Sequence, residues 1–206
     1  MSTPGTTGRE PGRTANRRRL TALAGPAAVA VSVVGVFGSV ALTSLVLADW
    51  FTWTGNALSD LGAPDSAVAP LFNASLVVAG LLGVAYAGRV FVAGTNAGHR
   101  LGAALLGLGL ANAALVGVFS LPHPLHGPVS VAFFVLLTLG LFVHGSGDAL
   151  AGRARRGVLT TWLAVAHVVG WALLGVVPFE GLALPELVGV VALWAWTLTV
   201  YGDLVP

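Results

Sequence analysis

Six stretches of this chain run for about 20 residues with almost no charge, and most of the prolines, histidines and charges collect between them. The runs cover Thr21 to Ala48, Ser66 to Gly88, Leu101 to Leu121, Gly127 to Asp148, Gly157 to Val177 and Pro185 to Gly202. A helix rising about 1.5 Å per residue needs roughly 20 residues to cross about 30 Å of hydrocarbon, so every run can span a bilayer. The pattern predicts an all-α fold, a polytopic transmembrane bundle of six helices.

Composition agrees. Hydrophobic residues fill 56% of the 206 positions, and mean hydropathy is +0.88. A soluble domain holds roughly 45–50% apolar residues. Cysteine is absent, which removes disulfides and thiolate metal sites. All ten basic residues are arginine, a usage that reads as the codon bias of a GC-rich prokaryotic genome.

The arginines then set the orientation. Arg9, Arg13, Arg17, Arg18 and Arg19 precede the first run, Arg89 and Arg100 flank the second connection, and Arg153, Arg155 and Arg156 fill the fourth. The first, third and fifth connections carry none. The positive-inside bias predicts a cytoplasmic N-terminus, a cytoplasmic C-terminus and three outward connections, in the cell membrane of a prokaryote. This spread also accounts for the calculated pI of 9.9 without nucleic acid, because the basic residues do not form one aromatic-interleaved face.

Residues 1–19, rich in Gly, Thr, Pro and Arg, read as a disordered cytoplasmic tail, and residues 20–206 as the transmembrane domain. The first apolar run exceeds an ordinary signal-peptide core and reads as an uncleaved anchor. Small residues at i, i+4 and i+8, Gly35, Ser39 and Thr43 on the first span and Ala103, Gly107 and Ala111 on the third, suit close helix packing. The same faces offer a route to a homo-oligomer. Seven of the eleven prolines fall in outward connections, which should make these ordered turns, and the helix interiors are expected to be free of proline. Trp50, Phe51 and Trp53 read as an aromatic belt at the headgroup level.

Chemistry concentrates in the outward connections. Asp49, Asp60, Asp65, Glu180 and Glu186 lie there with His123 and His126 and without a basic residue. Carboxylates beside a low-dielectric layer need water, N–H donors, a proton or a cation. Asp65 or Ser66 can cap the second helix, and Glu186 suits the first turn of the sixth. Asp60 stands mid-loop in "SDLG", between two leucines, and could fold back over the bundle. His123 and His126 are spaced to face one ion, so zinc or another divalent metal held by His123, His126 and Asp60 is a candidate centre. The catalytic candidates are therefore Asp60, His123 and His126. Ser59 and Asn73, and within the spans Asn112 and His167, are the candidate substrate contacts. His167 is expected to bond Asn112 or a backbone carbonyl, and His144 and Asp148, at i and i+4, are expected to pair near the cytoplasmic end of the fourth span.

The first outward loop, "NALSDLGAPDSAVAPLFNASLVVAGLLG", and the later turn "HPLHGPVSVAFF" resemble the prokaryotic domain-of-unknown-function family 998 (DUF998) over nearly everything after the arginine tail. The most specific elements are Ser59, Asp60, Leu61, Gly62, Asn73, His123, Pro124 and His126. That resemblance implies a fold and no mechanism. "SDLG", the "FN" of the next helix and the histidine opening an "FF" helix are also similar to the Frag1/DRAM/Sfk1 group of six-span proteins, with Leu61 where that group has threonine. This second resemblance implies a role with lipids. The functional expectation is a lipid-acting or lipid-remodelling membrane protein with an outward Asp/His site and membrane lipids as partners. The alternatives are a small-molecule or ion transporter or sensor, in which His167 and Asn112 line a path, and a non-catalytic scaffold.

Overall fold

A computed structural model describes residues 10–47 and 50–204; residues 1–9 of the expected tail, and Asp49 among the expected outer acids, lie outside them. Six helices follow one another: α1 Glu10–Leu42, α2 Ala69–Ala93, α3 Ala97–Val118, α4 His126–Leu150, α5 Ala154–Leu173 and α6 Ala183–Leu204. Six helical segments, the first running over Ala15–Leu47, are long and apolar enough to cross a bilayer. Among the described residues there is no strand.

Two boundaries differ from the hydropathy reading. α1 begins at Glu10, within the segment 1–19 read as tail, and continues past Pro26, so one helix interior does hold a proline. Membrane helices tolerate such a break because neighbouring groups can satisfy the freed backbone. α5 stops at Leu173, short of Val177, and the chain turns through Gly175 ahead of Pro178.

The surface bears out a lipid setting. Leu81, Leu108, Val131 and Trp162 are 57–63% exposed on the sides of the bundle, where a soluble protein would place polar groups. Inside, Tyr86, Leu106, Leu137, Leu141 and Trp196 form one large core among α2, α3, α4 and α6. The small-residue stripe of α1 is used within the chain: Ser39 and Thr43 are buried, and Gly35 abuts Ser75 of α2.

A second, smaller core lies at the end of the bundle opposite the arginines. After a π-helical turn at Thr43–Leu47, the chain crosses to a 3-10 turn, Leu58–Gly62, which is "LSDLG" itself. Leu58 and Leu61 are buried with Val36, Phe51, Val68, Phe72 and Ala183. Burying a leucine side chain is worth about 1.5–3 kcal/mol, so two leucines flanking Ser59 and Asp60 pin this loop onto the bundle. Phe51 therefore belongs to the core rather than to an aromatic belt, and Trp53 packs edge-on against it at 5.4 Å, while Trp50 stays 39% exposed. The backbone also stitches the first and fifth connections together: Glu180 and Gly181 donate to the Thr54 carbonyl, and Ala183 donates to that of Asn56.

At the arginine-bearing end, α4 terminates in a left-handed residue, Gly152 (φ 78°), a conformation that glycine adopts without strain. The turn lets Arg153 N–H donate to the Asp148 carbonyl at 2.9 Å, which brings the start of α5 back over the end of α4.

Candidate functional site

The residues singled out by sequence fall into separate local arrangements. Asp60 is held by its own loop: Oδ2 accepts the Ala57 N–H at 2.9 Å and the Asn56 side-chain amide at 3.2 Å. Asn73 of α2 donates to the Gly62 carbonyl at 2.9 Å and so fastens the far end of the same turn. His123 is exposed, stacks on Phe119 at 4.7 Å, and accepts the Leu125 N–H through Nδ1. His126 is buried in the first turn of α4, with Nδ1 donating to the Phe119 carbonyl at 2.9 Å. Among the described residues, no three His, Asp or Glu side chains are grouped so that they could hold a metal ion, so Asp60, His123 and His126 do not come together as a ligand set. Asp65 is exposed and Ser66 Oγ has no partner; neither caps α2, which begins at Ala69 behind Val68.

Mid-bundle, His167 does not meet Asn112. Asn112 donates to Leu108 of its own helix. His167 is 1% exposed, and Trp171 Nε1–H donates to its Nε2 at 2.7 Å. Thr138 Oγ1, which gives its own proton to the Phe134 carbonyl, lies 2.8 Å from Nδ1. These partners fix the Nδ1–H tautomer, with both nitrogens satisfied.

Glu186 takes a larger part than helix-start electrostatics require. It lies in the first turn of α6, 7% exposed, and accepts the Leu58 N–H at 2.6 Å, so the sixth helix holds the "LSDLG" turn through a buried carboxyl group. Beneath this contact runs a cavity of about 90 Å³ enclosed by α1, α2, α3, α4 and α6. Leu58, Ser59 and Glu186 line one end, and Tyr86 and Thr197 the other. Between Glu186 and Thr197, both on its wall, α6 rises about 16 Å. Its wall is apolar apart from a few groups, of which Ser130 Oγ has no hydrogen-bond partner. His167 and Asn112 are not part of that wall.

The other polar constellation surrounds Asp148, at the arginine-bearing end. Its carboxylate is fully buried and receives His99 Nε2 at 3.1 Å, Arg153 Nη2 at 3.1 Å and Arg156 Nε at 3.0 Å. Arg153 Nη2 also lies 3.0 Å from His99 Nε2. One nitrogen cannot donate to Asp148 and accept from Arg153 together; with the proton on Nε2, Asp148 Oδ1 serves both donors and Nδ1 accepts from the Thr95 hydroxyl at 3.1 Å. Asn96 caps α3 by accepting the His99 N–H and donates to the Gly147 carbonyl of α4. The helices approach so closely here that a Cβ on Gly98 would lie 2.7 Å from the Gly147 Cα. His144, expected to pair with Asp148, sits with Nδ1 at 3.7 Å from Oδ2, too far for a hydrogen bond. Asp203, in the last turn of α6, binds Arg153 at 3.0 Å and Arg156 as well.

The family model described as a protein of unknown function, DUF998, matches residues 29–202, which takes in all of the helices from α2 to α5, the second part of α1 and most of α6. The chain belongs to the DUF998 family. No curated protein and no solved structure shows significant similarity to it, and the resemblance to the Frag1/DRAM/Sfk1 group finds no support in these comparisons. In this DUF998 protein, sequence reading passed over His99, Arg153, Arg156 and Asp203 as members of a site. His99 was hidden beside Arg100, and the arginines were already explained as orientation signals. The available signal was glycine: "AGH" and "GSGD" place small residues beside His99 and Asp148, as two closely approaching helix ends require.

Proposed function

We propose that this multi-pass membrane protein binds an amphiphile, a short apolar segment of which enters the cavity between α1, α2, α3, α4 and α6. The observation that carries this reading is the cavity itself, apolar along most of its wall and bounded at one end by the Leu58–Glu186 contact. Pockets that bind small ligands are mostly apolar with a few polar groups to fix orientation, and here Glu186, Ser59 and Ser130 supply these. An acceptor such as Glu186 favours a head that donates a hydrogen bond, an alcohol or an amine, over a phosphate. With both chain ends in the cytoplasm of a prokaryotic cell, this head would sit toward the outer leaflet.

Support for catalysis at the outer loops is weaker, because Asp60 is held by its own turn and His126 by a backbone carbonyl. Transport through His167 has less behind it too, since both ring nitrogens are occupied and the cavity wall excludes it.

Trp194 lines the cavity and reports on its contents. A bromine-labelled long-chain alcohol added to the protein in phosphatidylcholine nanodiscs should quench part of the tryptophan emission saturably. The saturable component should vanish in Trp194→Phe and in Ala113→Phe, which fills the cavity. Quenching that rises linearly with the alcohol and ignores Ala113→Phe would dispose of the proposal.

A further inference from the structure

The end of the bundle around Asp148 carries a second, independent site. A cleft of about 210 Å³ opens there, lined by Thr95, His99, His144, Arg153, Arg156 and Asp203, with Val90, Val200 and Leu204 as its apolar wall. Arg153 and Arg156 bring two positive charges, and the buried Asp148 cancels one of them. The remaining charge is met by Asp203, which is 44% exposed at the end of α6. Exposed ion pairs are worth little, so Asp203 is a replaceable partner, whereas Asp148 is not. His144 lines the same cleft at 1% exposure, and its Nδ1 has no hydrogen-bond partner. A buried imidazole nitrogen left unsatisfied, next to two guanidiniums whose second carboxylate is weakly held, is a polar site short of a partner.

We infer that this cleft binds one phosphate group, a monoester or a diester, with Arg153 and Arg156 donating to it in place of Asp203. Guanidinium pairs present parallel N–H donors that match phosphate oxygens. The single positive charge left beside Asp148 balances a phosphodiester, and the valine and leucine wall suits a lipid chain running beside its head. Basic pockets between membrane helices on the arginine-rich side are the usual seats of anionic headgroups.

The experiment uses the full chain in nanodiscs and two probes, inorganic phosphate and phosphatidylglycerol against phosphatidylcholine, with retention read by native mass spectrometry and phosphate binding by equilibrium dialysis. Phosphatidylglycerol should be retained in preference to phosphatidylcholine, Arg153→Gln should weaken this about tenfold or more, and Asp203→Asn should strengthen it. Arg155→Gln, on the same turn but outside the cleft, should change nothing. Thermal melts of each variant in zwitterionic detergent establish that it is folded. Phosphate binding with the same pattern of variants would assign the site to the phosphate group itself, and lipid retention alone to the headgroup with its chain. Equal retention of both lipids with no phosphate binding, an unchanged Asp203→Asn, or an Arg155→Gln as damaging as Arg153→Gln would overturn the inference.

Discussion

The backbone N–H of Leu58 donates to the carboxyl group of Glu186 at 2.6 Å across 128 positions of sequence. The contact joins the "LSDLG" turn to the first turn of α6 and bounds one end of the cavity. Glu186→Ala leaves a buried N–H without an acceptor and should cost about 1–3 kcal/mol. Glu186→Gln keeps an acceptor and should cost less. Thermal unfolding in detergent ranks the two, and equal losses would deny the hydrogen bond its importance.

Asp148 gathers two guanidiniums and an imidazole in a fully buried place. Removing one member of a buried charge pair typically costs about 3–5 kcal/mol, so Asp148→Ala should prevent a stable bundle or lower its melting temperature steeply. Asp203→Asn, at a half-exposed pair, should shift stability by less than about 1 kcal/mol. Similar effects of the two substitutions would refute the buried hub.

His167, Trp171 and Thr138 form a chain in which each donor has one acceptor. Their effects should therefore be non-additive. Trp171→Phe and His167→Phe should each destabilise by about 1–2 kcal/mol, and the double variant by clearly less than the sum. A double-mutant cycle with no coupling energy would mean that the chain is not formed in the membrane.

The approach of α3 to α4 at Gly98 and Gly147 leaves no room for a methyl group. Gly98→Ala would drive a Cβ to 2.7 Å from backbone, which cannot swing aside as a side-chain end can. A loss of about 1–3 kcal/mol is expected, with His99 displaced from Asp148. Gly88→Ala meets open space and serves as the control; comparable melting temperatures for the two variants would count against the close crossing.

The six spans were readable because hydropathy and arginine placement are summed properties of long segments, which survive errors at single residues. Asp60 and His123 lie in connections and His126 opens α4, yet their separation was not readable, because each finds a partner within a few residues and local hydrogen bonds leave no mark on composition. Glu186 illustrates the opposite difficulty: its partner is a backbone N–H, identical at every non-proline position, so no residue type announces it. The Asp148 cluster draws His99 from α3 and Asp203 from α6 to the junction of α4 and α5, and a single sequence gives no register between helices. Pro26 shows where a local rule gives way, since the membrane places a helix across it whatever its propensity.

The stitching of Thr54 and Asn56 to Glu180, Gly181 and Ala183 has a consequence for biogenesis. A ribosome delivers the first hairpin of helices long before the last, so the acceptors at Thr54 and Asn56 must wait at the membrane surface for donors made near the end of translation. Closure of the bundle is therefore a late event, and a nascent chain arrested within α5 would hold an open ring, with one rim of backbone still served by water.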